Sequence, residues 1–203
     1  MLLGPKFKIC KRLGASVFEK CQTQKFQLAE ARAPRRSRPK RGGGGDFGIQ
    51  LLEKQKARFT YGLSESQFSR YVHEAMEKRG GSSSAGLVSR LEARLDNTVY
   101  RAGLVKTRRA ARQLVSHGHI LVNGRRMTIP SYCVQEGDTI SVRPESQSSA
   151  LFVGRKEAVA ETKNPAWMQL SEDGMSYKIT STPSITETEL PFNAAVIIQF
   201  YSR

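Results

Sequence analysis

The residue types most capable of chemistry are concentrated in residues 94–126, which hold seven arginines, two histidines and an Asn-Gly pair. Such groups belong to a catalytic site, to a metal site, or to a surface that holds a polyanion. The planar guanidinium of arginine pairs with phosphate oxygens through parallel hydrogen bonds and stacks on nucleobases. Seven arginines in one short stretch therefore favour a phosphate-binding surface.

The two histidines are weaker candidates for a metal site. His117 and His119 flank Gly118, where the chain changes direction, and no third ligand lies nearby in the sequence. A hydrogen bond at the helix end, or to RNA, suits them better than coordination. We expect no metal.

The three cysteines do not suggest a metal or a nucleophile either. Cys10 and Cys21 are eleven residues apart and lack the paired short spacings of structural zinc sites. An odd number of cysteines in a reducing compartment is typical of free thiols. Cys133 lies in an apolar strand context without a neighbouring base, so we expect it to be buried filler.

Two helices must position the arginines. Residues 87–102 are predicted as one helix, and Thr107 is predicted to cap a second helix that runs through Ser116 and ends at Gly118. At about 100° per residue, each helix separates into an apolar and a polar side. The apolar sides hold Leu91, Leu95, Val99 and Ala102 in the first helix, and Ala110, Ala111, Leu114 and Val115 in the second. The polar sides hold Arg94, Asn97 and Arg101 in the first helix, and Arg108, Arg109, Arg112, Gln113 and Ser116 in the second. If the apolar sides pair, both rows of arginines stay outside.

A hairpin follows these helices. Residues 119–127 alternate around Asn123-Gly124, a strong two-residue turn signal. The hairpin adds Asn123, Arg125 and Arg126 to the polar set. Further strands are predicted at 132–134 and 139–142.

The remaining elements look structural. Residues 47–61 are predicted to be helical, and the capping box at 64–67 opens another helix. One face of that helix carries Phe68, Tyr71, Val72, Ala75 and Met76. Residues 144–193 read as loops and short strands, and 194–201 as a final apolar strand.

Composition narrows the function classes. The chain has 203 residues, 38% of them hydrophobic, which suits one or two modest cores and not a large enzyme. Its net charge is +15, carried by the first two thirds, because residues 144–203 sum to −2. A polyanion is the expected partner, nucleic acid before an anionic membrane. The longest apolar run is 194–198, far short of the roughly 20 residues of a membrane span, and 1–13 contains no signal-peptide core. We expect a soluble, cytoplasmic protein.

Residues 31–45, ARAPRRSRPKRGGGG, differ from the rest. They combine two prolines, four consecutive glycines and six basic residues with no acid. Such a composition cannot form a core, so we expect this segment to order only on a partner.

Several long motifs in this chain resemble a known family. Residues 94–103, 107–127 and 129–143 read RLDNTVYRAG, TRRAARQLVSHGHILVNGRRM and IPSYCVQEGDTISVR, and they resemble the small RNA-binding module called the S-four domain. Residues 4–14, 46–72 and 200–203 read GPKFKICKRLG, DFGIQLLEKQKARFTYGLSESQFSRYV and FYSR. They are similar to the bacterial small-subunit ribosomal proteins number four. The PGQHG element of that family, expected near 33–38, and its zinc-binding cysteine cluster are absent.

The resemblance implies an α+β fold, with an S-four module of two helices packed on a small antiparallel sheet inserted into a helical protein. The implied divisions are a basic extension at 1–45, partly disordered when free, a helical domain at 46–90, the module at 91–155, and a segment at 156–203 that packs back on the helical domain. It also implies a non-enzymatic ribonucleoprotein component, without cofactor or small-molecule substrate.

The implied partners are 16S rRNA, mRNA, and small-subunit proteins five and three. Members of the family bind 16S rRNA early in assembly, at a junction of helices in the 5′ domain, and nucleate its folding. They lie beside the mRNA entrance channel, and their interface with protein five affects decoding accuracy. Some members repress their own message.

The resemblance carries over to two sets of residues. The rRNA-binding set is Arg94, Asn97, Arg101, Arg108, Arg109, Arg112, Gln113, Ser116, His117, His119, Asn123, Arg125, Arg126, Lys6, Lys8, Lys11, Arg12, Lys54, Lys56 and Arg58. The candidates for contact with mRNA are Arg35, Arg36, Arg38, Lys40 and Arg41. Tyr61, Tyr71 and Tyr100 suit base stacking, but core packing explains them more simply.

Two alternatives stay open. A stand-alone RNA-binding factor of the heat-shock or ribosome-rescue type uses the same module, but lacks the KFKICKRLG and GIQLLEKQKARF segments. An rRNA pseudouridine synthase also shares it, and RLD at 94–96 resembles the motif that holds its catalytic aspartate. However, only about 60 residues follow the module here, too few for that catalytic domain, and Asp96 reads as a helix-surface acid paired with an arginine.

Overall fold

The chain divides into two units, and the second is inserted into the first. In this computed structural model, residues 4–32, 45–78, 81–149, 151–152, 165–186 and 189–202 are described. The helical unit comprises Met1–Leu87 and Thr186–Arg203, and the sheet unit comprises Val88–Ile185. The insertion matches the expected architecture. The contacts divide the chain near 87 and 185, however, and not near 90 and 155.

The helical unit contains five α-helices and a 3₁₀ turn among its described residues. They are α1 Lys6–Leu13, the 3₁₀ turn Glu19–Gln22, α2 Gln24–Arg32, α3 Asp46–Tyr61, α4 Glu65–Glu77 and, at the C-terminal end, α9 Ala194–Tyr201. Helix α5, Ser83–Glu92, leads from this unit into the other.

The N-terminal helices have a core of their own. Leu13, Val17, Phe18 and Phe26 are buried together with Phe59 of α3. The described part of 1–45 is therefore packed on the helical unit, and the expected boundary at 45 is wrong for residues 4–32. Residues 33–44, which contain the arginine- and glycine-rich run, lie outside the described residues.

The expectation of free thiols is wrong for two of the three cysteines. Cys10 and Cys21 form a disulfide, with their Cα atoms 6.7 Å apart. Gly14 ends α1 in the left-handed conformation (φ 63°), and the turn returns the 3₁₀ segment to α1. The sequence spacing could not reveal this approach. Cys133 is free and half-buried against the core of the sheet unit, so it is less enclosed than predicted.

The helices around α3 follow the sequence prediction closely. Gly62 ends α3 in the left-handed conformation. Ser64 then caps α4, accepting a hydrogen bond from the Gln67 backbone at 3.3 Å. The predicted N-cap is confirmed, but the Gln67 side-chain amide donates to the Tyr71 hydroxyl at 3.3 Å, so only the Ser64 half of the predicted capping box is seen. Phe68, Tyr71, Val72 and Ala75 are buried as predicted, and Met76 is half-buried.

The predicted C-terminal strand is a helix. Asn193 accepts hydrogen bonds from the backbone N–H of Ala195 and Val196, which caps α9. Ala194 and Ile197 are buried, and α9 packs on α3 and α4. Its branched apolar residues favour a strand locally, but the cap and this packing select the helix.

The sheet unit holds one antiparallel sheet. Its strands are β1 Ile120–Val122, β2 Arg125–Met127, β3 Thr139–Val142, β4 Met168–Leu170 and β5 Ser176–Ile179, in the order β2-β1-β3-β5-β4. Its helices after α5 are α6 Leu95–Arg101, α7 Arg108–Ser116 and the short α8 Pro144–Gln147. The α+β architecture is confirmed, including the Asn123-Gly124 hairpin between β1 and β2.

The single helix predicted for 87–102 is broken. Arg94 is extended (ψ 135°) between α5 and α6, because the backbone here pairs with 130–134. The N–H of Val134 donates to the Ala93 carbonyl at 2.8 Å, and that of Leu95 to the Tyr132 carbonyl at 2.9 Å. The strand predicted at 132–134 is correspondingly reduced to an isolated bridge between Arg94 and Cys133.

The core of this unit joins α6 and α7 to the sheet. Leu95, Val99, Ala111 and Leu114 pack with apolar residues from all five strands, and Trp167 is buried among them. Residues 165–185 were expected to pack on the helical domain. They instead extend the sheet through the β3–β5 pairing, and only the segment from Thr186 onward belongs to the helical unit.

Candidate nucleic-acid interface

Helix α7 presents its basic residues as predicted. Thr107 caps it, accepting a hydrogen bond from the Ala110 backbone at 3.0 Å. Ala111, Leu114 and Val115 are buried. The opposite side carries Arg109, Gln113 and Ser116, which are exposed, and Arg108 and Arg112, which are half-buried.

Half-buried Arg112 is held by Asp96, an acid whose predicted position is wrong. Asp96 was expected on the helix surface, but its side chain is only 3% exposed. Arg94 donates to it from Nε and Nη2 at 3.0 and 2.8 Å. Arg112 donates from Nε and Nη2 at 2.8 and 2.7 Å, both to Oδ2. One buried carboxylate thus holds one guanidinium inside and a second at the surface.

Glu92, the last residue of α5, forms a similar centre. Its side chain is fully buried, and Arg101 donates to its two carboxylate oxygens from Nε and Nη2 at 2.9 and 3.0 Å. Asn97 donates to the same carboxylate at 2.9 Å through Nδ2. Its carbonyl oxygen in turn accepts from Nε of Arg108 at 2.8 Å. A chain of polar contacts therefore runs from Glu92 to α7.

These contacts correct the expected positions of two residues. Arg94 and Asn97 were placed on an exposed polar side, but they are 3% and 1% exposed. Charged and amide groups at that depth need partners, and Asp96 and Glu92 provide them. Arg94 and Asn97 support the surface from below, while Arg101, Arg108 and Arg112 reach it.

Tyr100 contributes a further contact. The guanidinium carbon of Arg108 lies 4.4 Å from the centre of the half-buried Tyr100 ring, a cation–π arrangement. Tyr61 and Tyr71 are 2% and 1% exposed, so they are core residues and cannot stack on a base.

The hairpin adds two exposed arginines at the edge of the sheet, Arg125 and Arg126 on β2. Asn123 anchors the turn. Its Oδ1 accepts from the Thr139 backbone at 2.9 Å, and its Nδ2 donates to Asp138 at 2.8 Å. Asn123 is therefore engaged in holding the hairpin against β3.

The histidines lie where α7 meets the hairpin. His117 is exposed, and its carbonyl accepts from Nη2 of Arg126 at 3.2 Å. His119 pairs through Nδ1 with the hydroxyl of Ser146 at 2.9 Å. Gly118 between them is left-handed (φ 76°), and a Cβ there would meet the Arg126 guanidinium. Within the described residues, no group of three or more His, Cys, Asp or Glu side chains is arranged to hold a metal ion.

Three basic residues of α3 are committed to internal contacts. Lys54 and Arg58 both pair with Glu65 of α4, at 2.6 and 3.1 Å, and Lys56 pairs with Glu53 at 2.6 Å. Lys54 was expected to bind rRNA, but it is buried and its ammonium is held by Glu65.

Glu65 is also bonded to the C-terminal helix, because Tyr201 donates its hydroxyl to Oε1 at 2.9 Å. Burial raises the pKa of Glu65, but hydrogen bonds from Lys54 and Tyr201 and the charges of Lys54 and Arg58 outweigh it. The pKa of Glu65 is therefore lowered from 4.5. Glu65 of α4 thus connects α3, through Lys54 and Arg58, to α9, through Tyr201.

Helix α1 keeps its cations outside. Lys8, Lys11 and Arg12 are exposed, and half-buried Lys6 lies 5.6 Å from the centre of the Phe18 ring. The candidates for mRNA contact, Arg35, Arg36, Arg38, Lys40 and Arg41, all lie outside the described residues.

Sequence reasoning missed Glu92, which organises much of the network. The available signal was its spacing, because Glu92 and Asp96 are four residues apart among arginines at 94 and 101. In this stretch the two acids form the ion pairs that hold the arginines in place.

The fold and this surface define a class: a small α+β RNA-binding module inserted in a helical protein. Family models agree. One described as the ribosomal protein S4/S9 N-terminal domain matches residues 1–92, and one described as the S4 domain matches 93–140. None of the described helices is long and apolar enough to cross a membrane.

Curated relatives match almost the whole chain. Three of them carry the name small ribosomal subunit protein uS4. That of Acetivibrio thermocellus is 40% identical over 204 residues, covering 98% of each chain. Those of Roseiflexus castenholzii and Thermus thermophilus are 43% and 40% identical, covering 99% of this chain and 98% of theirs. The chain belongs to the small ribosomal subunit protein uS4 family.

Proposed function

We propose that this protein is a structural component of the small ribosomal subunit and a primary binder of 16S rRNA. In this role it nucleates folding of the 5′ domain, at a junction of several RNA helices. It acts in the cytoplasm and catalyses no reaction. Family membership supports the assignment to the subunit.

RNA binding is supported by the arginine surface of the sheet unit, which is formed by Arg101, Arg108, Arg109 and Arg112. Arg101 and Arg112 are 23% and 32% exposed, each held by a buried carboxylate, and exposed Arg109 lies on the same helix as Arg112. Guanidiniums held in fixed positions suit the phosphates of a folded RNA, whose recognition depends on shape and backbone more than on base sequence.

The test is binding of the full chain to a transcript of the 16S rRNA 5′ domain, titrated across salt and combined with chemical footprinting. We expect tight binding, protections at one multi-helix junction, and an association constant that falls as salt rises. Weak binding without a footprint would overturn the proposal.

We further propose that the chain lies beside the mRNA entrance channel, next to small-subunit proteins three and five, and that its contact with protein five influences decoding accuracy. The basic run that includes Arg35, Arg36, Arg38, Lys40 and Arg41 suits contact with incoming mRNA. Replacing these five residues by glutamine should slow translation through a stable mRNA hairpin. Normal passage with weakened subunit assembly would instead indicate a tail that binds rRNA.

The competing function is a stand-alone RNA-binding factor. Sedimentation separates the two, because a stoichiometric subunit component remains with small subunits in high salt, whereas a factor is released. The match across 1–92 to a ribosomal protein model favours the first.

Pseudouridine synthesis is disfavoured by the position of Asp96. A catalytic aspartate must touch the nucleoside, but Asp96 is buried and bonded to Arg94 and Arg112.

A further inference from the structure

We propose that Glu92 and Asp96 are positioning residues for RNA binding. Their negative charges increase affinity for a polyanion by fixing the guanidiniums of Arg101, Arg108 and Arg112 before RNA arrives. The inference rests on the proposed rRNA-binding function, and names which residues set the geometry of its surface.

The two acids are buried, whereas Arg101 and Arg112, which they hold, reach the surface. Both acids are at most 3% exposed on their side chains, whereas Arg101 and Arg112 are 23% and 32% exposed. The two carboxylates are thus buried, and the guanidiniums of these two arginines are partly exposed at the surface. An RNA phosphate approaching α7 meets the arginines without meeting either carboxylate.

Hydrogen bonds fix the orientation of each of the three arginines. Arg101 places Nε and Nη2 on the two oxygens of Glu92, a bidentate contact that fixes the plane of the guanidinium. Arg112 directs the same two nitrogens to Oδ2 of Asp96. Arg108 is held indirectly, because Glu92 accepts a hydrogen bond from Asn97, and Asn97 accepts one from Nε of Arg108. The Arg108 guanidinium also lies over the Tyr100 ring.

The order of these arginines also affects the free energy of RNA binding. A free arginine side chain must give up rotamer freedom when it binds a phosphate, and such losses are a recognised cost of association. Here folding has already fixed three arginines from two helices. RNA that binds this surface therefore encounters cations that are already ordered.

Neutralising either acid should change RNA affinity in the direction opposite to that expected from net charge alone. Asp96→Asn and Glu92→Gln each remove one negative charge and keep the shape of the side chain. If only net charge mattered, both variants would bind RNA more tightly. If the acids position the arginines, both bind more weakly. We expect a loss of about tenfold in the association constant for each, equivalent to about 1.4 kcal/mol.

The experiment measures binding of the full chain and its variants to the 5′-domain transcript at several salt concentrations. Glu172→Gln is the matched charge control, because it removes one exposed acid from the turn between β4 and β5. We expect it to bind as tightly as the wild type or slightly more tightly. Weaker binding by both Asp96→Asn and Glu92→Gln, against this control, supports positioning, and unchanged or tighter binding overturns it.

Loss of stability must be separated from loss of positioning. Ile179→Ala removes a buried side chain from β5 in the same core without touching the arginines. All variants are assayed at a temperature where the fluorescence of Trp167, the single tryptophan, reports a folded sheet unit. If Ile179→Ala lowers affinity as much as the acid variants do, the acids are merely structural and the inference fails. Failure of the wild type to bind would instead refute the proposed function.

Discussion

Arg112 on α7 donates a hydrogen bond from Nε to Oδ2 of Asp96 on α6 across 2.8 Å, although the two residues are sixteen apart in the chain. Asp96 in turn holds Arg94, which lies in the extended break before α6. Asp96 therefore links the extended break at Arg94 to the surface that we propose binds RNA. It also divides the arginines into those that support the surface and those that form it, and these two groups should respond differently to substitution.

Arg109→Ala should weaken RNA binding without lowering stability. Arg109 is exposed on α7, so its removal costs less than about 0.5 kcal/mol of folding free energy. If it contacts a phosphate, the salt dependence of log K should become shallower by about one unit. Binding titrations across salt measure this slope, with Lys178→Ala on β5 as a control that removes the same charge elsewhere. Equal slopes for wild type and Arg109→Ala would contradict the prediction.

Arg94→Ala should act mainly on stability. The side chain is 3% exposed and pairs with Asp96 through two hydrogen bonds. Removing one partner of a buried ion pair costs about 3 kcal/mol, because the other charge stays buried. Denaturant unfolding followed by the fluorescence of buried Trp167 reports this unit. A midpoint equal to that of Arg109→Ala would show that the pair contributes little.

The helical unit should lose stability in acid through Glu65. Its pKa is lowered in the folded state from 4.5, so its contribution is complete above that value and is lost as the pH falls through the lowered pKa. Unfolding by denaturant, followed by circular dichroism over this pH range, should show the difference between wild type and Glu65→Gln shrinking as the pH falls. A difference that is independent of pH would exclude this origin.

The disulfide between Cys10 and Cys21 should stabilise the N-terminal helices. It closes a short loop, since the two cysteines are eleven residues apart. A disulfide that closes a loop of this size raises the free energy of unfolding by roughly 2 to 3 kcal/mol. Thermal unfolding of the chain, reduced and oxidised, should differ accordingly, and Cys21→Ser should resemble the reduced form. Cys133→Ser is the control, because Cys133 is free and its loss should leave the dependence on reductant intact.

Features that depend on neighbouring residues could be predicted from the sequence. The caps at Ser64 and Thr107, the hairpin at Asn123-Gly124 and the apolar faces of α4 and α7 were all predictable. Each rests on a hydrogen bond or a periodicity within a few positions. The net charge of +15 likewise indicated a polyanionic partner without any structure.

Features that depend on residues far apart in the chain could not be predicted and follow from the folded structure. The backbone of 130–134 pairs with that of 93–96, which breaks a helix that local propensity would continue. The capped C-terminal segment packs on α3 and α4 as a helix, although its branched residues favour a strand. Asp96 was visible in the sequence, but its burial was not, because burial depends on partners brought together by folding. The roles that we propose for Glu92 and Asp96 therefore could not be read from their positions in a basic stretch of sequence, because they depend on the packing of the folded unit.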